Sequence, residues 1–178
     1  MKIWHLICDV DNFTNLAFDT EFDLKFIESF NGDSKIDTWV TPKFIRMDNR
    51  IIGNSIGLSS HIPVFDKTAV LLLRNELKKN TELLPIIFEE DEYYIVNVTK
   101  VLDCINLSKS QYKTFSDGRI MRFIKYAFDE KKVKDVDIFK LKGFERNRPF
   151  VSDNFRNIVT ENNLTGFKFE LVWDSETE

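Results

Sequence analysis

The sequence predicts an α+β domain with a mainly antiparallel sheet, hairpins and about two packed helices. Three observations lead to this prediction: a capped amphipathic helix near residue 70, two pairs of apolar runs joined by turn residues, and a C-terminal helix followed by an alternating strand. A length of 178 residues is enough to bury a core, and we expect residues 1–178 to form a single domain. With 43% hydrophobic and 30% charged residues, the composition is typical of a folded chain.

The first sixty residues give the weakest signals for secondary structure. Ile3 to Cys8 is an apolar run of strand length. Four apolar residues fit either a strand or a short helix: Phe22, Leu24, Phe26 and Ile27. Residues 51–60 contain two glycines and three serines, which predicts a loop or turn region.

A helix is predicted over residues 67–79. Asp66 is a good N-cap, because its carboxylate can accept the free N–H groups of the first turn. Val70, Leu73 and Leu77 follow at helical spacing. Two lysines at the other end complement the negative pole of the helix dipole.

Two hairpins are predicted in the middle of the chain. The apolar runs 84–88 and 93–98 are separated by the acidic residues 89–92, which should form a solvated, negative tip. Asp117-Gly118 marks the second hairpin, because glycine readily adopts the positive φ that tight turns need. A short strand is predicted over Ile138 to Leu141.

The C-terminal segment predicts a helix followed by a half-buried strand. Ser152 can cap a helix whose apolar face is formed by Phe155, Ile158 and Val159. Four large residues then alternate with other residues: Phe167, Phe169, Leu171 and Trp173. Strict alternation puts them on one face of a strand, and we expect that face to pack against the preceding helix.

No motif in the sequence meets the requirements of an enzyme, so we expect neither catalysis nor a metal or cofactor. Asp9-Val10-Asp11 resembles the first motif of haloacid-dehalogenase-type phosphotransferases, in which the first carboxylate is the nucleophile. The later motifs of that family are not evident, so a metal-dependent phosphotransferase using Asp9 and Asp11 is kept only as the alternative function. Ser59 and Ser60 adjoin His61, but such close neighbours rarely form a productive nucleophile–base pair.

Charge weighs against a nucleic-acid partner. The formal net charge is −4, whereas nucleic-acid binding normally needs a clustered basic surface. One basic cluster is interleaved with aromatic residues: Arg119, Arg122 and Lys125, with Phe123 and Tyr126. Such a negative chain is compatible with docking onto a basic protein. The many phenylalanines leave self-association as a further alternative.

Cysteine usage and hydropathy predict a cytoplasmic protein without membrane contact. Cys8 and Cys104 show no metal-binding or redox spacing, so free thiols in a reducing compartment are expected. The first twelve residues lack the long apolar region of a signal peptide. No segment has the length and hydropathy of a membrane-spanning helix.

The C-terminal two thirds of the chain resembles a bacterial immunity-protein family of polymorphic toxin systems. The resemblance rests on four segments in order: IPVFDKTAVLLLRNEL, ELLPIIFEEDEYYIVNVTKVLDCIN, DIFKLKG and FVSDNFRNIVTENNLTGFKFELVW. The family is the immunity MXAN protein domain, formerly a domain of unknown function. The resemblance covers about residues 62–173 as an immunity-type core, and leaves residues 1–60 as a variable N-terminal part. It implies a non-catalytic protein that binds and neutralises a cognate toxin.

Two acidic segments are the candidate partner-binding surfaces. The first comprises Glu89, Glu90, Asp91 and Glu92 with the adjacent Tyr93. The second comprises Asp19, Glu21 and Asp23. Both place carboxylates beside aromatic residues on segments that we expect to be exposed, and such surfaces can steer and anchor a basic partner.

Overall fold

A computed structural model of the chain describes residues 1–19, 21 and 23–177. The strands in this part of the chain are β1 (Lys2–Cys8), β2 (Leu16–Phe18), β3 (Phe44–Arg46), β4 (Ser55–Ser59), β5 (Ile62–Asp66), β6 (Thr81–Phe88), β7 (Asp91–Val98), β8 (Val101–Leu102), β9 (Gln111–Thr114), β10 (Ile120–Lys125), β11 (Ile138–Leu141), β12 (Phe150–Ser152) and β13 (Phe167–Asp174). The helices are α1 (Leu24–Glu28), α2 (Lys67–Leu72), α3 (Arg74–Leu77), α4 (Glu130–Val133) and α5 (Asp153–Glu161), with a 3-10 turn at Ile36–Thr38.

The strands form two large sheets and two small two-stranded sheets. The five-stranded sheet has the order β13-β1-β12-β11-β8, and the four-stranded sheet has the order β4-β5-β7-β6. The pairs β2-β3 and β9-β10 are separate two-stranded sheets. All of these pairings are antiparallel except that of β8 with β11. The prediction of an α+β chain with mainly antiparallel strands is therefore confirmed.

The number of helices was predicted wrongly, because the described residues contain five short helices rather than about two. The helix expected over residues 67–79 is divided at Leu73, whose φ of −93° and ψ of 10° separate α2 from α3. The caps at Asp66 and Ser152 are confirmed, since each side chain accepts an N–H of its first turn. The single-turn helices α1 and α4 are too short to show a hydrophobic period.

Two turn regions also differ from the prediction. The acidic hairpin closes with two residues rather than four, because Phe88 pairs with Asp91 across the turn of Glu89 and Glu90. Both turn residues have positive φ, 49° and 70°, as a tight hairpin requires. Residues 51–60 are not simply a loop, because they contain β4, whose Ile56 is fully buried.

Three apolar clusters make up the core. The first joins the four-stranded sheet to the N-terminal segment through residues such as Phe30, Phe44 and Phe88. The second is shared by both large sheets and by α2, α3 and α5. The third lies on the other face of the five-stranded sheet, where Phe150 stacks on Phe139 with ring centroids 5.3 Å apart.

The alternation in β13 is broken by a bulge, so the prediction that its four large side chains share one face is wrong. Ile3 of β1 pairs with Trp173 but the next residue, Trp4, pairs with Leu171, which leaves one extra residue in β13. An extra residue reverses the side-chain alternation beyond it. Phe167 and Phe169 accordingly pack in the second cluster, Trp173 packs in the third, and Leu171 is 45% exposed.

Lys140 ties the N-terminal segment to the five-stranded sheet. Its side chain is almost completely buried, at 1% exposure, and its ammonium donates a hydrogen bond to the carbonyl of Phe30. Burial lowers the pKa of Lys140 from 10.5 to about 8, although nearby Glu145 raises it, while the cation Lys35 lowers it further. His61 also lies close enough for its pKa to respond to Lys140.

The stability of the protein should therefore depend on Lys140 at alkaline pH. Below about pH 8 the side chain is protonated in both the folded and unfolded states, and between about pH 8 and 10.5 only the unfolded state holds the proton. Stability rises with pH where the unfolded state binds more protons. The stability of the native protein relative to Lys140→Met should thus rise by about 3 kcal/mol between pH 7.5 and 10.5. Urea unfolding of both proteins across this range measures the difference, and a constant difference would contradict the prediction.

Candidate partner-binding surfaces

The acidic hairpin tip is exposed, as the sequence predicts. Glu89, Glu90, Asp91 and Glu92 are all exposed at the end of the β6–β7 hairpin. Their charge is partly neutralised, because Arg46 of β3 forms an ion pair with Glu89 at 3.2 Å. The tip is therefore a carboxylate cluster at a two-residue turn, with Glu89 already paired to Arg46.

Tyr93 is not exposed beside these acids, which corrects the expectation of an aromatic anchor at the tip. Its side chain is 6% exposed and contacts Phe88 edge-on, with ring centroids 5.8 Å apart. Burial raises the pKa of Tyr93 to about 12, and the nearby Asp66 and Asp91 contribute. The ring of Tyr93 belongs to the core, because it shares a strand face with the fully buried Ile95.

The second acidic segment lies near the first. Asp19, Glu21 and Asp23 are exposed. Asp19 forms an ion pair of 2.6 Å with Lys43, and the backbone of Lys43 bridges to Ile87, two residues before the acidic tip. Asp23 caps α1 by accepting the N–H of Phe26. The intervening Thr20, and the Phe22 of the predicted strand or short helix, lie outside the described residues.

The Asp9-Val10-Asp11 motif has a structural partner. Lys168 of β13 places its ammonium 2.8 Å from a carboxylate oxygen of Asp9 and 2.8 Å from one of Asp11. Val10 lines an apolar groove of about 560 Å³ between β1, β2 and β4, whereas neither aspartate lines it. Asp9 also accepts two hydrogen bonds from Asn12. The two carboxylates therefore fix the start of β13 against the end of β1, and nothing in this arrangement favours phosphotransfer.

Ser59 and His61 do form a hydrogen bond, contrary to the expectation from their closeness in sequence. Ser59 Oγ lies 3.0 Å from His61 Nδ1, and His61 Nε2 lies 3.0 Å from the carbonyl of Ile27. Ser59 pairs with Ile62 across the β4–β5 turn, so both bonds lie within one tight hairpin and its contact with α1. Burial lowers the pKa of His61, and the hydrogen bond from its Nε2 to the carbonyl of Ile27 links the hairpin to α1.

The predicted basic cluster lies on the β9–β10 hairpin, but its aromatic residues point inward. Phe123 packs on Phe144 and Tyr126, with ring centroids 5.3 and 5.1 Å apart. Arg119 pairs with Asp117 in the turn at 2.7 Å. Sequence reasoning missed Lys113, which lies directly opposite Arg122. Extending the pairing outward from the Asp-Gly turn would have placed these two cations together.

The comparison with protein families agrees with the resemblance seen in the sequence. Residues 88–174 match the model of Imm11, the immunity protein family. This region of the chain is similar to that family. The predicted resemblance to an immunity protein is therefore confirmed, although the match starts at residue 88 rather than 62 and covers just under half of the chain. A comparison with curated proteins found no match.

The matched region, residues 88–174, includes the acidic tip and the β9–β10 hairpin, but not Asp19, Glu21 or Asp23. It also excludes β1, although β1 lies between β12 and β13 in the five-stranded sheet. The matched region therefore depends on residues outside it for the strand that joins β12 to β13. Among the described residues, no helix is long and apolar enough to cross a membrane.

Proposed function

We propose that this protein is an immunity protein that binds a cognate bacterial toxin and neutralises it without catalysis. The observation that carries the proposal is the Imm11 match over residues 88–174. The geometry of Asp9 and Asp11 agrees with it, because their carboxylates are paired with Lys168 and serve the fold. The proposal places the protein in the cytoplasm, and the free thiols of Cys8 and Cys104 suit a reducing compartment.

The exposed acids at residues 89–92 support a role in steering the toxin. They stand at the end of the β6–β7 hairpin, where clustered charge can speed the encounter with a basic partner. Asp19 lies near this tip through its ion pair with Lys43, whose backbone bridges to Ile87. Tyr93 is not part of this surface, because its side chain is buried.

The proposed function is tested by co-expression with the toxin encoded by the neighbouring gene. Cells that make both proteins should grow, and cells that make the toxin alone should not. The purified immunity protein should also bind a catalytically inactivated form of that toxin. Failure of both rescue and binding would exclude the proposed function.

Charge reversal at the acidic tip should slow association with the toxin. The double variant Glu90→Lys/Glu92→Lys is expected to reduce the association rate by about tenfold at low salt, because rim charges act mainly through steering. The matched control is Glu161→Lys/Glu176→Lys, which makes the same change in net charge at two other exposed acids. Stopped-flow binding at several salt concentrations measures the rates. Equal association rates for the two double variants would show that the tip does not take part in binding.

A further inference from the structure

The β9–β10 hairpin projects from the fold as an arm, which we define as residues 110–126. In the part of the chain that the structure describes, β9 and β10 pair only with each other. The base of the arm is fixed, because Ser110 Oγ donates to the carbonyl of Asn106 and accepts the N–H of Ala127, at 2.8 and 3.0 Å. Phe123 anchors the middle of the arm on Phe144. The arm is thus held at its base and along one face.

The two faces of the arm differ in chemistry. Tyr112 and Phe123 are cross-strand partners with ring centroids 6.0 Å apart; Phe123 packs inward on Phe144, whereas Tyr112 is 39% exposed. Lys113 and Arg122 are also direct cross-strand partners, and alternation puts them on the opposite, outward face. Ile124, at the register shift that follows Phe123, is 59% exposed.

Among the described residues, the two cations of the outward face have no acidic partner. The arm has four basic residues and one acid, Asp117, in a chain whose net charge is −4. Asp117 is paired with Arg119. Over residues 1–19, 21 and 23–177, neither Lys113 nor Arg122 forms an ion pair or a side-chain hydrogen bond. Like charges directly opposite each other destabilise an antiparallel strand pair. An anionic partner would therefore relieve the electrostatic repulsion between Lys113 and Arg122.

We propose that the outward face of the arm docks a carboxylate-bearing surface of the toxin. The inference rests on the proposed function, because the toxin is the partner that it names. Lys113 and Arg122 would pair with the carboxylates, and Ile124 would exclude water beside them. Removing water from around such ion pairs strengthens them. Protein–protein interfaces typically combine an apolar centre with a polar rim, and an exposed isoleucine beside two cations fits that arrangement.

A nucleic-acid partner fits the same face less well. Nucleic-acid binding through exposed strands commonly uses aromatic side chains on which bases stack. On this arm Phe123 is turned inward, the exposed ring of Tyr112 lies on the face opposite Lys113, and the exposed ring of Phe115 is contacted by Arg119. The short patch of two opposed cations is also far smaller than a groove that tracks a phosphate backbone.

The test measures binding of the inactivated toxin from the neighbouring gene to the full chain by isothermal titration calorimetry. The double variant Lys113→Glu/Arg122→Glu should weaken the affinity at least about tenfold at low salt, and Ile124→Ser should weaken it several-fold. The matched control Lys78→Glu/Lys79→Glu makes the same charge change at the exposed end of α3 and should bind like the native protein. Circular dichroism of each variant should match that of the native protein, because none of these side chains is in the core.

The outcomes separate this inference from the proposed function. Native protein that fails to bind the toxin overturns both. Native binding that survives Lys113→Glu/Arg122→Glu, or falls equally in the Lys78→Glu/Lys79→Glu control, overturns only the docking role of the arm. A DNA or RNA duplex of 20 base pairs serves as a second probe. Duplex binding that is lost in the arm variant while toxin binding is kept would assign the arm to nucleic acid and would overturn the inference.

Discussion

A chain that lacks residues 1–8 is expected to lose its cooperative fold. These residues include β1, which pairs with β13 along its length and with β12 through Ile3, Trp4 and His5. Ile3 and Leu6 are buried on opposite faces of the sheet, in different core clusters. Removing β1 leaves two strands with unpaired backbone groups and opens two clusters at once, and each unsatisfied buried group costs about 1–3 kcal/mol. The combined loss of these pairings and buried side chains is comparable with the usual stability of a domain, about 5–15 kcal/mol.

Thermal unfolding followed by circular dichroism tests this expectation. The truncated chain should show no cooperative transition, and a synthetic peptide of residues 1–10 should restore one. The control peptide carries Ile3→Asp and Leu6→Asp, which keep the backbone donors but remove the buried side chains. A truncated chain that melts like the native protein would show that the C-terminal strands close without β1.

Gly166→Ala is expected to destabilise the protein by about 3 kcal/mol or more. Gly166 immediately precedes β13 and has a φ of +82°. An alanine in this left-handed conformation lowers the stability of the fold by about 1–2 kcal/mol. An added Cβ would also lie 2.1 Å from the carbonyl oxygen of Ser55, which belongs to the backbone of β4. The backbone there cannot simply move away, because Ser55 donates to the carbonyl of Thr165 and Asp9 donates to that of Gly166.

Gly143→Ala is the matched control for the steric part of this effect. Gly143 has a φ of +81°, but an added Cβ there would meet no atom within 4 Å. The control should therefore show only the conformational cost of about 1–2 kcal/mol. Urea unfolding measures both variants, and the difference between them reports the clash with Ser55. Equal losses of stability would mean that β4 and the start of β13 separate without cost.

Local features of this fold could be predicted from the sequence, whereas non-local pairing could not. The caps at Asp66 and Ser152 and the Asp-Gly hairpin depend on residues within a few positions of each other. The position of β1 between β12 and β13 depends on partners at residues 150–174, and nothing in residues 2–8 indicates them. The bulge in β13 is fixed by its pairing with β1, so alternation alone assigned Trp173 to the wrong face.

The candidate surfaces also divide into local features, which the sequence predicts, and cross-strand relations, which it does not. The acids at 89–92 were predicted to be exposed because four consecutive charges cannot be buried cheaply, and they are exposed. Tyr93 was misplaced because the turn was taken as residues 89–92, which put Tyr93 directly after the turn, whereas it is the third residue of β7. Lys113 was missed because its relation to Arg122 exists only across the hairpin.

The position of β1 also sets the order in which the protein can form on the ribosome. β1 is made before β12 and β13, which follow more than 140 residues later. At a synthesis rate of about 5–20 residues per second, this strand waits roughly ten seconds for its partners. During that interval the nascent chain carries an unpaired apolar strand. The five-stranded sheet is complete only when β13 has been made, so it forms late relative to the synthesis of β1.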